Sequence, residues 1–284
     1  MKFSIVIPVR NNRSELLDLL QTIEQQTYAE PFETLIVDQS DIKEAPIEVS
    51  RGPCQWFRME GTGAARSRNL AIKHATGDYL VLVDANARFK KHTLNQLDRI
   101  TKDSPDYDVI CGICLNIEDG KPYSRYSGSK PAGVNFRNYD CCLASAMAIK
   151  RTVLSKIGLL DEHLGTGTRY GSSEETDLVL RILQHGGKLL YQPRYEVLHP
   201  SLKPDGMSLH AWTRKHYLYG MGRGAMLRKH LRIKPAWAIK NLALALSKPV
   251  AGILIEVLRL QGRQALRYTV SIIGRLHGFV SYKP

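Results

Sequence analysis

The sequence predicts an α/β fold in which a mostly parallel sheet is flanked by helices and followed by a basic helical region. Strand-forming runs alternate with amphipathic helical patterns through the first 200 residues, which is typical of a parallel sheet. Several strands end in a charged or imidazole side chain, and the charge balance changes after residue 200. We therefore expect two domains, 1–200 and 201–284.

The elements of the first domain are predicted from apolar runs and from the residues that end or cap them. Pro8 marks the exit of the first strand from the sheet, and Asn11 or Asn12 caps the next helix. That helix carries an apolar stripe of Leu16, Leu17, Leu19, Leu20 and Ile23. The predicted strands are 3–9, 33–41, 55–59, 79–83, 106–115, 188–193 and 195–200, and the predicted helices end near residues 23, 74, 101, 157 and 185. Residues 119–140 show no period and are interpreted as a long functional loop.

The net charge of +13 belongs to the second domain. From residue 201 onward there are 15 Lys and Arg residues against two acids, whereas the first 200 residues carry 25 of each sign. Such a segment attracts nucleic acid or anionic lipid. The sequence contains no zinc-finger spacing, RNA-binding strand motif or helix-turn-helix pattern, so we expect no nucleic-acid partner.

Cysteine usage and the start of the chain favour the cytoplasm. The number of cysteines is five, which is odd, and the chain enters a strand at Phe3, so we expect reduced thiols and no signal peptide. The spacing of Cys111 and Cys114 is that of a redox or zinc motif. Residues three apart on a strand point to opposite faces, so we interpret both thiols as structural.

Asp38, Asp84 and His199 stand where predicted strands end. In open α/β sheets, ligands bind at the carboxyl ends of the strands. The spacing Asp84-x-Asn86 also places two oxygen-bearing side chains on one side of an extended backbone, an arrangement that suits a hard cation. Each residue also has an ordinary explanation, because a strand-end Asp often starts a turn.

Six segments together resemble the inverting glycosyltransferases of family 2, which have the GT-A fold. They are VIPVRNN, LIVDQSD, GTGAARSRNLAI with HATGDYLVLVDAN, IGLLDEHLGTG, GSSEETDLVLR and VLHP, and they cover about residues 1–200. The resemblance implies a nucleotide-diphosphate sugar donor, a divalent metal cofactor (Mn²⁺ or Mg²⁺) and a catalytic carboxylate. It also implies a glycan or lipid-linked acceptor, in cell-surface polysaccharide or glycolipid synthesis.

The resemblance implies donor-site roles residue by residue. The guanidinium of Arg68 suits phosphate or carboxylate by its fork geometry, whereas we interpret Arg66 as a solvated helix residue. The implied nucleotide-sugar-binding residues are Pro8, Val9 and Asp38 at the base and ribose, Gly61, Arg68 and Asn69 in the segment that closes over the nucleotide, and Asp84 at the diphosphate.

Asp84 and Asn86 match the DxD motif that holds the family's metal ion. The second acid of that motif is Asn here, and an amide oxygen brings no charge. The resemblance implies His199 as a compensating ligand, since imidazole suits manganese better than magnesium. The alternative for His199 is a strand-end histidine bonded to a backbone carbonyl.

The family's Glu-Asp pair aligns with Glu174 and Glu175, which implies Glu175 as the catalytic base. A glutamate is one methylene longer than an aspartate, so Glu174 stays open as the base. The spacing of Asp177 and Arg181 predicts a structural ion pair.

The basic tail predicts helices that lie on an anionic membrane surface. Lys248, Pro249 and Glu256 interrupt its apolar run, so we expect peripheral attachment to the inner face of the cytoplasmic membrane rather than a spanning helix. Aromatic residues suited to the headgroup level are Trp212, Tyr217, Tyr219 and Trp237. The alternative is a helical cap that packs on the catalytic domain.

Two other functions are suggested by the sequence. Asn86 and Glu175 differ from the acids of the family's motifs at catalytic positions, which favours a non-catalytic nucleotide-sugar binding protein as the alternative. The GTGAAR segment is similar to a dinucleotide-binding fingerprint, but Ala65 and Arg66 replace its last part, which excludes a Rossmann dehydrogenase.

Overall fold

The computed structural model describes residues 2–122, 128–200 and 207–283. The strands are β1 Phe3–Val9, β2 Phe32–Asp38, β3 Cys54–Arg58, β4 Tyr79–Leu82, β5 Arg88–Phe89, β6 Val109–Asn116, β7 Ala132–Val134, β8 Met147–Lys150 and β9 Leu189–His199. The helices are α1 Arg13–Glu24, α2 Ala64–His74, α3 Thr93–Asp103, α4 Arg151–Ile157, α5 Glu174–Gln184, α6 Leu209–Leu231, α7 Pro235–Leu258 and α8 Gly262–Ser281. The predicted α/β class is confirmed.

The first four strands form a parallel block in the order β3-β2-β1-β4. Residues of β1, β2 and β4 are buried on both faces, as expected for strands covered by helices on each side. The strand order reverses between β1 and β4, so their carboxyl ends open the crevice in which α/β sheets bind ligands. In this block β1 and β2 pair in register, with Val9 beside Asp38.

The second half of the sheet is mixed in direction. β8 lies between β4 and β6 and is antiparallel to both, and the short strands β5 and β7 are antiparallel to β9. The expectation of a mostly parallel sheet therefore holds for the first block and for the β6–β9 pair. Among the described residues, β6 is followed by β7 and two short 3-10 turns before β8, and no crossover helix of the kind that usually joins parallel strands lies between them.

The last strand corrects a boundary. The sequence predicts two strands, 188–193 and 195–200, but β9 runs unbroken through Pro193 and pairs with β6 across a register shift between Cys111 and Ile113. Gly112 permits that shift, because a Cβ there would lie 2.3 Å from the Tyr195 carbonyl oxygen. Cys111 and Cys114 are buried free thiols.

The α1 helix shows what amphipathic spacing predicts well and where it fails. Leu16, Leu19, Leu20 and Ile23 are buried as expected. Leu17 was placed in the same stripe, but 46% of its surface is exposed. Its position is one residue off the i, i+3, i+4 series, so it faces solvent. Asn12 stands at the N-cap position but makes no side-chain capping bond.

The chain divides into two compact units. Unit 1 comprises residues 1–62, 66–160 and 178–202 and contains the sheet. Unit 2 comprises residues 63–65, 161–177 and 203–284. Residues 201–206, which follow the predicted domain boundary, lie outside the described residues. So do residues 123–127 of the predicted loop 119–140.

Within unit 2, α6 and α8 pack at very short range through glycines. A Cβ at Gly224 would lie 2.0 Å from the Arg275 carbonyl oxygen, and one at Gly278 would lie 2.0 Å from the Met221 carbonyl oxygen. A Cβ at Gly220 would lie 2.5 Å from the Ser271 carbonyl oxygen, and one at Gly274 would lie 2.2 Å from the Tyr217 carbonyl oxygen. Small residues four apart on both helices allow this backbone contact.

α7 is a 24-residue helix that is long and apolar enough, by length and composition alone, to cross a membrane. This differs from the expectation that Lys248, Pro249 and Glu256 make the run too short. Only 6% of its most apolar window is buried.

Candidate functional site

The carboxylate of Asp84 is the centre of the candidate site in unit 1. It lies two residues after the end of β4, at the carboxyl edge of the parallel block. Arg68 Nη2 donates to its Oδ1 at 2.7 Å, the Ser145 hydroxyl donates to its Oδ2, and His199 Nε2 lies 3.6 Å from the same oxygen. Three cationic or donor groups therefore converge on one carboxylate that is 34% exposed.

Asp84 and Asn86 are joined by a turn. The Ala87 N–H donates to the Asp84 carbonyl oxygen at 2.9 Å, so the argument that both side chains lie on one side of an extended backbone is wrong. The chain must turn away from β4 here, because β5 begins at Arg88 and pairs with β9 at the far edge of the same sheet. Asn86 is half-buried on that turn.

His199 is the last residue of β9, and its side chain is only 12% exposed. Its Nδ1 lies 2.8 Å from the Pro200 carbonyl oxygen, which accepts an N–H from that nitrogen. In the neutral imidazole this bond leaves the lone pair on Nε2, the atom that faces Asp84. The carbonyl bond that was considered as an alternative to metal binding therefore orients the ring toward the site.

The pKa values of this pair are shifted in opposite directions. Burial alone would raise the pKa of the Asp84 carboxyl, but the His199 hydrogen bond, the Arg68 charge and the Ser145 hydroxyl outweigh it and hold that pKa well below its ordinary value. Burial alone would lower the pKa of His199, but the hydrogen bond and charge of Asp84 raise it. The carboxylate is therefore ionised throughout the physiological range.

The donor set fits a divalent cation. Asp84 Oδ2 and His199 Nε2 are 3.6 Å apart, close to the separation of about 3 Å between two adjacent ligands of one ion at bond lengths near 2.1 Å. Within the part of the chain that the structure describes, no group of three His, Cys, Asp or Glu side chains could hold a metal. The amide of Asn86 and donor phosphates would have to complete the coordination.

A cavity of about 290 Å³ opens at the carboxyl ends of β1 and β2. Val9, Leu16 and Trp56 supply apolar wall, and Asp38 supplies a carboxylate. Val9 and Asp38 were predicted to line the base and ribose, and both lie in this wall; Pro8 belongs to β1. Since β1 lies between β2 and β4, the ends of β2 and β4 are about 10 Å apart, which leaves room for a ribose between a base and a diphosphate.

Asp38 is fixed by two contacts. Arg58 Nη1 lies 2.6 Å from its Oδ2, and the Ser40 N–H donates to its Oδ1 at 2.8 Å. A carboxylate has about four lone-pair sites, so Asp38 keeps accepting capacity for a ligand N–H or hydroxyl.

Asn11 and Asp41 are site residues that the sequence analysis missed. The Asp41 N–H donates to Asn11 Oδ1 at 2.9 Å, and Asn11 Nδ2 donates to Asp41 Oδ2 at 2.6 Å. Asn11 has a φ of +52°, a conformation that Asn tolerates better than most residues. The pair ties the loop after β1 to the loop after β2 along the cavity wall. The NN and DQSD segments held this signal, since Asn and Asp form such turns.

The predicted nucleotide-closing segment serves several structural roles in unit 1. Gly61 has a φ of +82°, which favours glycine, and Arg66 is exposed as expected. Arg68 is buried against Asp84. The amide of Asn69 donates to the Leu160 carbonyl at 2.9 Å and accepts the Leu160 N–H at 3.0 Å. Nucleotide contacts by these residues stay predictions.

Glu174 and Glu175 begin α5 and belong to unit 2. Glu174 is buried against Gly165, where a Cβ would lie 2.8 Å from the Glu174 carboxyl carbon. Glu175 is half-buried and so is the more accessible of the two. Ser173 just before them has a φ of +74°, a strained backbone of the kind found at functional sites.

Asp177, one turn into α5, is held by α6. His230 Nε2 lies 3.0 Å from its Oδ1, and Lys229 Nζ lies 3.0 Å from its Oδ2. Lys229 also reaches Asp161 Oδ2 at 2.7 Å, and Tyr282 donates to the same oxygen at 2.6 Å. The predicted ion pair of Asp177 with Arg181 stays a prediction; Arg181, which belongs to unit 1, donates to the carbonyls of residues 157 and 159.

The chain is similar to known glycosyltransferases in sequence and in fold. The sequence model described as "Glycosyl transferase family 2" matches residues 4–158, more than half of the chain. An uncharacterized glycosyltransferase of Haemophilus influenzae is 28% identical over 191 residues, covering 64% of this chain and 62% of that protein. The chain thus spans about three-fifths of that relative's length.

Two solved structures are similar in fold. The crystal structure of Staphylococcus aureus TarS 1-349 in complex with UDP-GlcNAc covers 99% of this chain and 91% of that one, with a TM-score of 0.59 and 16% identity. The mannosyltransferase PcManGT from Pyrobaculum calidifontis, in complex with GDP-Man and Mn²⁺, covers 97% of this chain and 87% of that one, with a TM-score of 0.59 and 17% identity.

Proposed function

Because the chain belongs to glycosyl transferase family 2, we propose that it is a metal-dependent, inverting glycosyltransferase. It moves a sugar from a nucleoside-diphosphate sugar to a hydroxyl of a glycan or lipid-linked acceptor, in cell-surface polysaccharide or glycolipid synthesis. The observation that carries the proposal is the convergence of Asp84 and His199 at the strand edge that also opens the cavity beside Asp38. Both solved relatives bind a nucleotide sugar, as their descriptions state.

The donor nucleotide occupies the cavity. Its base and ribose lie against Val9, Leu16 and Trp56, and the Asp38 carboxylate accepts a base N–H or ribose hydroxyl. The diphosphate then extends across β1 toward Asp84, one strand further along the sheet. The cavity lining carries three acids, Asp38, Asp41 and Glu44, against one cation, Arg13, so the anionic diphosphate is better accommodated at the next strand.

Asp84, Asn86 and His199 would hold the divalent cation. The ion would neutralise the negative charge that grows on the departing diphosphate, a stabilisation that is largest in the transition state. Arg68 and Ser145 orient the Asp84 carboxylate, since both donate to it. Arg68 also offsets negative charge when the diphosphate arrives.

Glu175 is the proposed base. The acceptor oxygen bonds to the anomeric carbon, the bond from that carbon to the phosphate oxygen breaks with its electron pair, and Glu175 takes the hydroxyl proton. Its greater exposure favours it over Glu174, whose carboxyl packs against Gly165. Attack opposite the leaving group inverts the anomeric centre.

The test is release of nucleoside diphosphate from the donor sugar that stabilises the protein. Water, a glycan mixture and a total lipid extract serve as acceptors. Glu175→Gln should lower release by a factor of about 10²–10⁴ while donor binding is unchanged. Glu162→Gln is the matched control on an acid of the same unit and should retain wild-type release.

The alternative is a non-catalytic nucleotide-sugar binding protein, which the amide at Asn86 favours. It would be supported by wild-type protein that binds a donor with metal yet releases no diphosphate with any of the three acceptors. A large loss in Glu174→Gln with full activity in Glu175→Gln would transfer the role of base to Glu174.

A further inference from the structure

α7 leaves a mostly apolar row of side chains exposed along one face. The row consists of Ala236, Ile239, Ala243, Leu244, Val250, Ala251, Leu254, Ile255 and Leu258. At about 100° per residue these positions fall within about 160° of the helix circumference, a single face about 33 Å long that also carries Lys240 and Ser247. The opposite face packs inside unit 2, where Ala238 and Pro249 are buried and Gly252 lies against the Tyr268 ring.

The exposure of this row is far from usual for a helix of a globular protein. Leu254 is 63% exposed, Ile239 59% and Ile255 46%. The neighbouring helix α8 also exposes Ile273 and Leu276, by 52% and 46%. A contiguous apolar patch of this kind marks a surface that meets another apolar phase.

The charges around the row have one sign. Lys240 and Lys248 are exposed on α7, and Lys234 and Arg259 flank its ends. The acid of this helix, Glu256, is only 14% exposed in its side chain and lies 3.9 Å from Arg259. An apolar row bordered by cations complements a bilayer with anionic headgroups.

We propose that α7 lies in the plane of an anionic lipid bilayer, with its exposed row at the boundary of headgroups and acyl chains. Lys240 and Lys248 then contact lipid phosphates, and their long stems allow this while the neighbouring Leu and Ile side chains are buried. The cytoplasmic leaflet is the anionic one, which places the protein on the inner face of the cytoplasmic membrane. This inference does not depend on the proposed function.

Two other occupants fit less well. A second copy of the chain would bring the same cations face to face, which is unfavourable. A membrane-spanning α7 would carry Lys240, Lys248 and Glu256 into the hydrocarbon core, where charged side chains are costly. The in-plane position keeps those groups at the polar surface.

The test is flotation of the full-length protein with lipid vesicles. One vesicle type is pure phosphatidylcholine, and the other contains about one-third phosphatidylglycerol. The wild type should float with the anionic vesicles, and raising the salt concentration should weaken its binding. Ile239→Asp with Leu254→Asp should weaken binding at least about tenfold. Leu17→Asp, on an exposed leucine of α1, is the matched control and should bind like the wild type.

A second pair of variants separates charge from apolar contact. Lys240→Glu with Lys248→Glu should lose binding to anionic vesicles, whereas Lys43→Glu with Lys188→Glu, two lysines of unit 1, should not. Thermal melts check that all variants fold. Equal flotation of the wild type and the Ile239/Leu254 variant would overturn the proposal. So would retention in the membrane through alkaline carbonate, which indicates a spanning helix, or a lipid-independent dimer that the same two substitutions dissociate.

Discussion

At the scale of single residues, the site depends on how one carboxylate is held. Asp84 has an acceptor oxygen for Arg68 and another for Ser145 and His199, so its ionised form is stabilised on both sides. The His199 ring is oriented in turn by the Pro200 carbonyl. Without a metal, His199 and Asp84 form a pair whose strength depends on pH.

The pH dependence of that pair has a definite sign. The folded-state pKa of His199 lies above its unfolded value of 6.5, so its contribution to stability is complete below that pH and is lost as the pH rises through the folded pKa. In metal-free protein, the unfolding free energy of the wild type should therefore exceed that of His199→Gln more at about pH 6 than at about pH 9. Urea denaturation with a chelator present measures the unfolding free energies of both proteins at each pH. A difference that grows with pH would contradict the account.

Asn69 makes a second residue-scale prediction. Its amide satisfies both the N–H and the carbonyl of Leu160, and it is 2% exposed. Asn69→Ala should lower the unfolding free energy by about 2–4 kcal/mol, because two buried backbone groups lose their partner. Asn95→Ala, which removes an exposed bond to Thr27, should change it by less than about 0.5 kcal/mol. Equal effects of the two substitutions would argue against a structural role for the Asn69 amide.

At the scale of elements, the contact between α6 and α8 depends on glycine. Gly220 and Gly224 on one helix and Gly274 and Gly278 on the other remove the side chains that would hold the two backbones apart. Glycine inside a helix ordinarily lowers helix stability, so the sequence alone does not identify these four glycines as packing residues. Their pairing appears only when both helices are placed.

Gly278→Ala tests this packing. The added Cβ would lie 2.0 Å from the Met221 carbonyl oxygen, so unfolding free energy should fall by about 2 kcal/mol despite the better helix propensity of alanine. At Gly262, the first residue of α8, a Cβ meets no atom within 4 Å. Gly262→Ala should therefore be neutral or stabilising by up to about 1 kcal/mol. Thermal and urea unfolding of both variants measure the contrast, and stabilisation by both would contradict it.

At the scale of the whole molecule, the sequence predicts the positions of the elements and of the strand-end residues. It predicts less well the directions of the strands and the turns between them. The apolar runs predict Asp38, Asp84 and His199 at strand ends, because a strand buried on both faces is apolar and a charged side chain ends the apolar run. They do not predict the antiparallel β8, whose direction is set by pairing with β4 and β6 rather than by its own sequence. The local sequence likewise does not predict the turn at Asp84–Ala87, because that turn depends on the pairing of β5 with the distant strand β9.

The residues around the site were harder to predict than the site itself. Ser145 lies in a short 3-10 turn of small residues, and nothing in its local pattern connects it with Asp84, 61 positions earlier. Likewise, the basic tail was recognised by its charge, whereas the apolar row of α7 depends on which face packs inside unit 2. Contacts between distant segments are decided by tertiary packing, which local propensity does not encode.

The central claim is that Asp84 holds a metal-dependent nucleotide-sugar site. It is tested most directly by thermal stabilisation with UDP, GDP, dTDP and their sugars, with and without Mn²⁺. The wild type, Asp84→Ala and the control Asp106→Ala, an exposed acid of unit 1, are compared. A nucleotide at 100 times its dissociation constant adds about 2.7 kcal/mol of stability. We predict that one nucleotide stabilises the wild type and Asp106→Ala only with Mn²⁺ and leaves Asp84→Ala unchanged. The absence of any nucleotide effect with metal present, or an undiminished effect in Asp84→Ala, would contradict the claim.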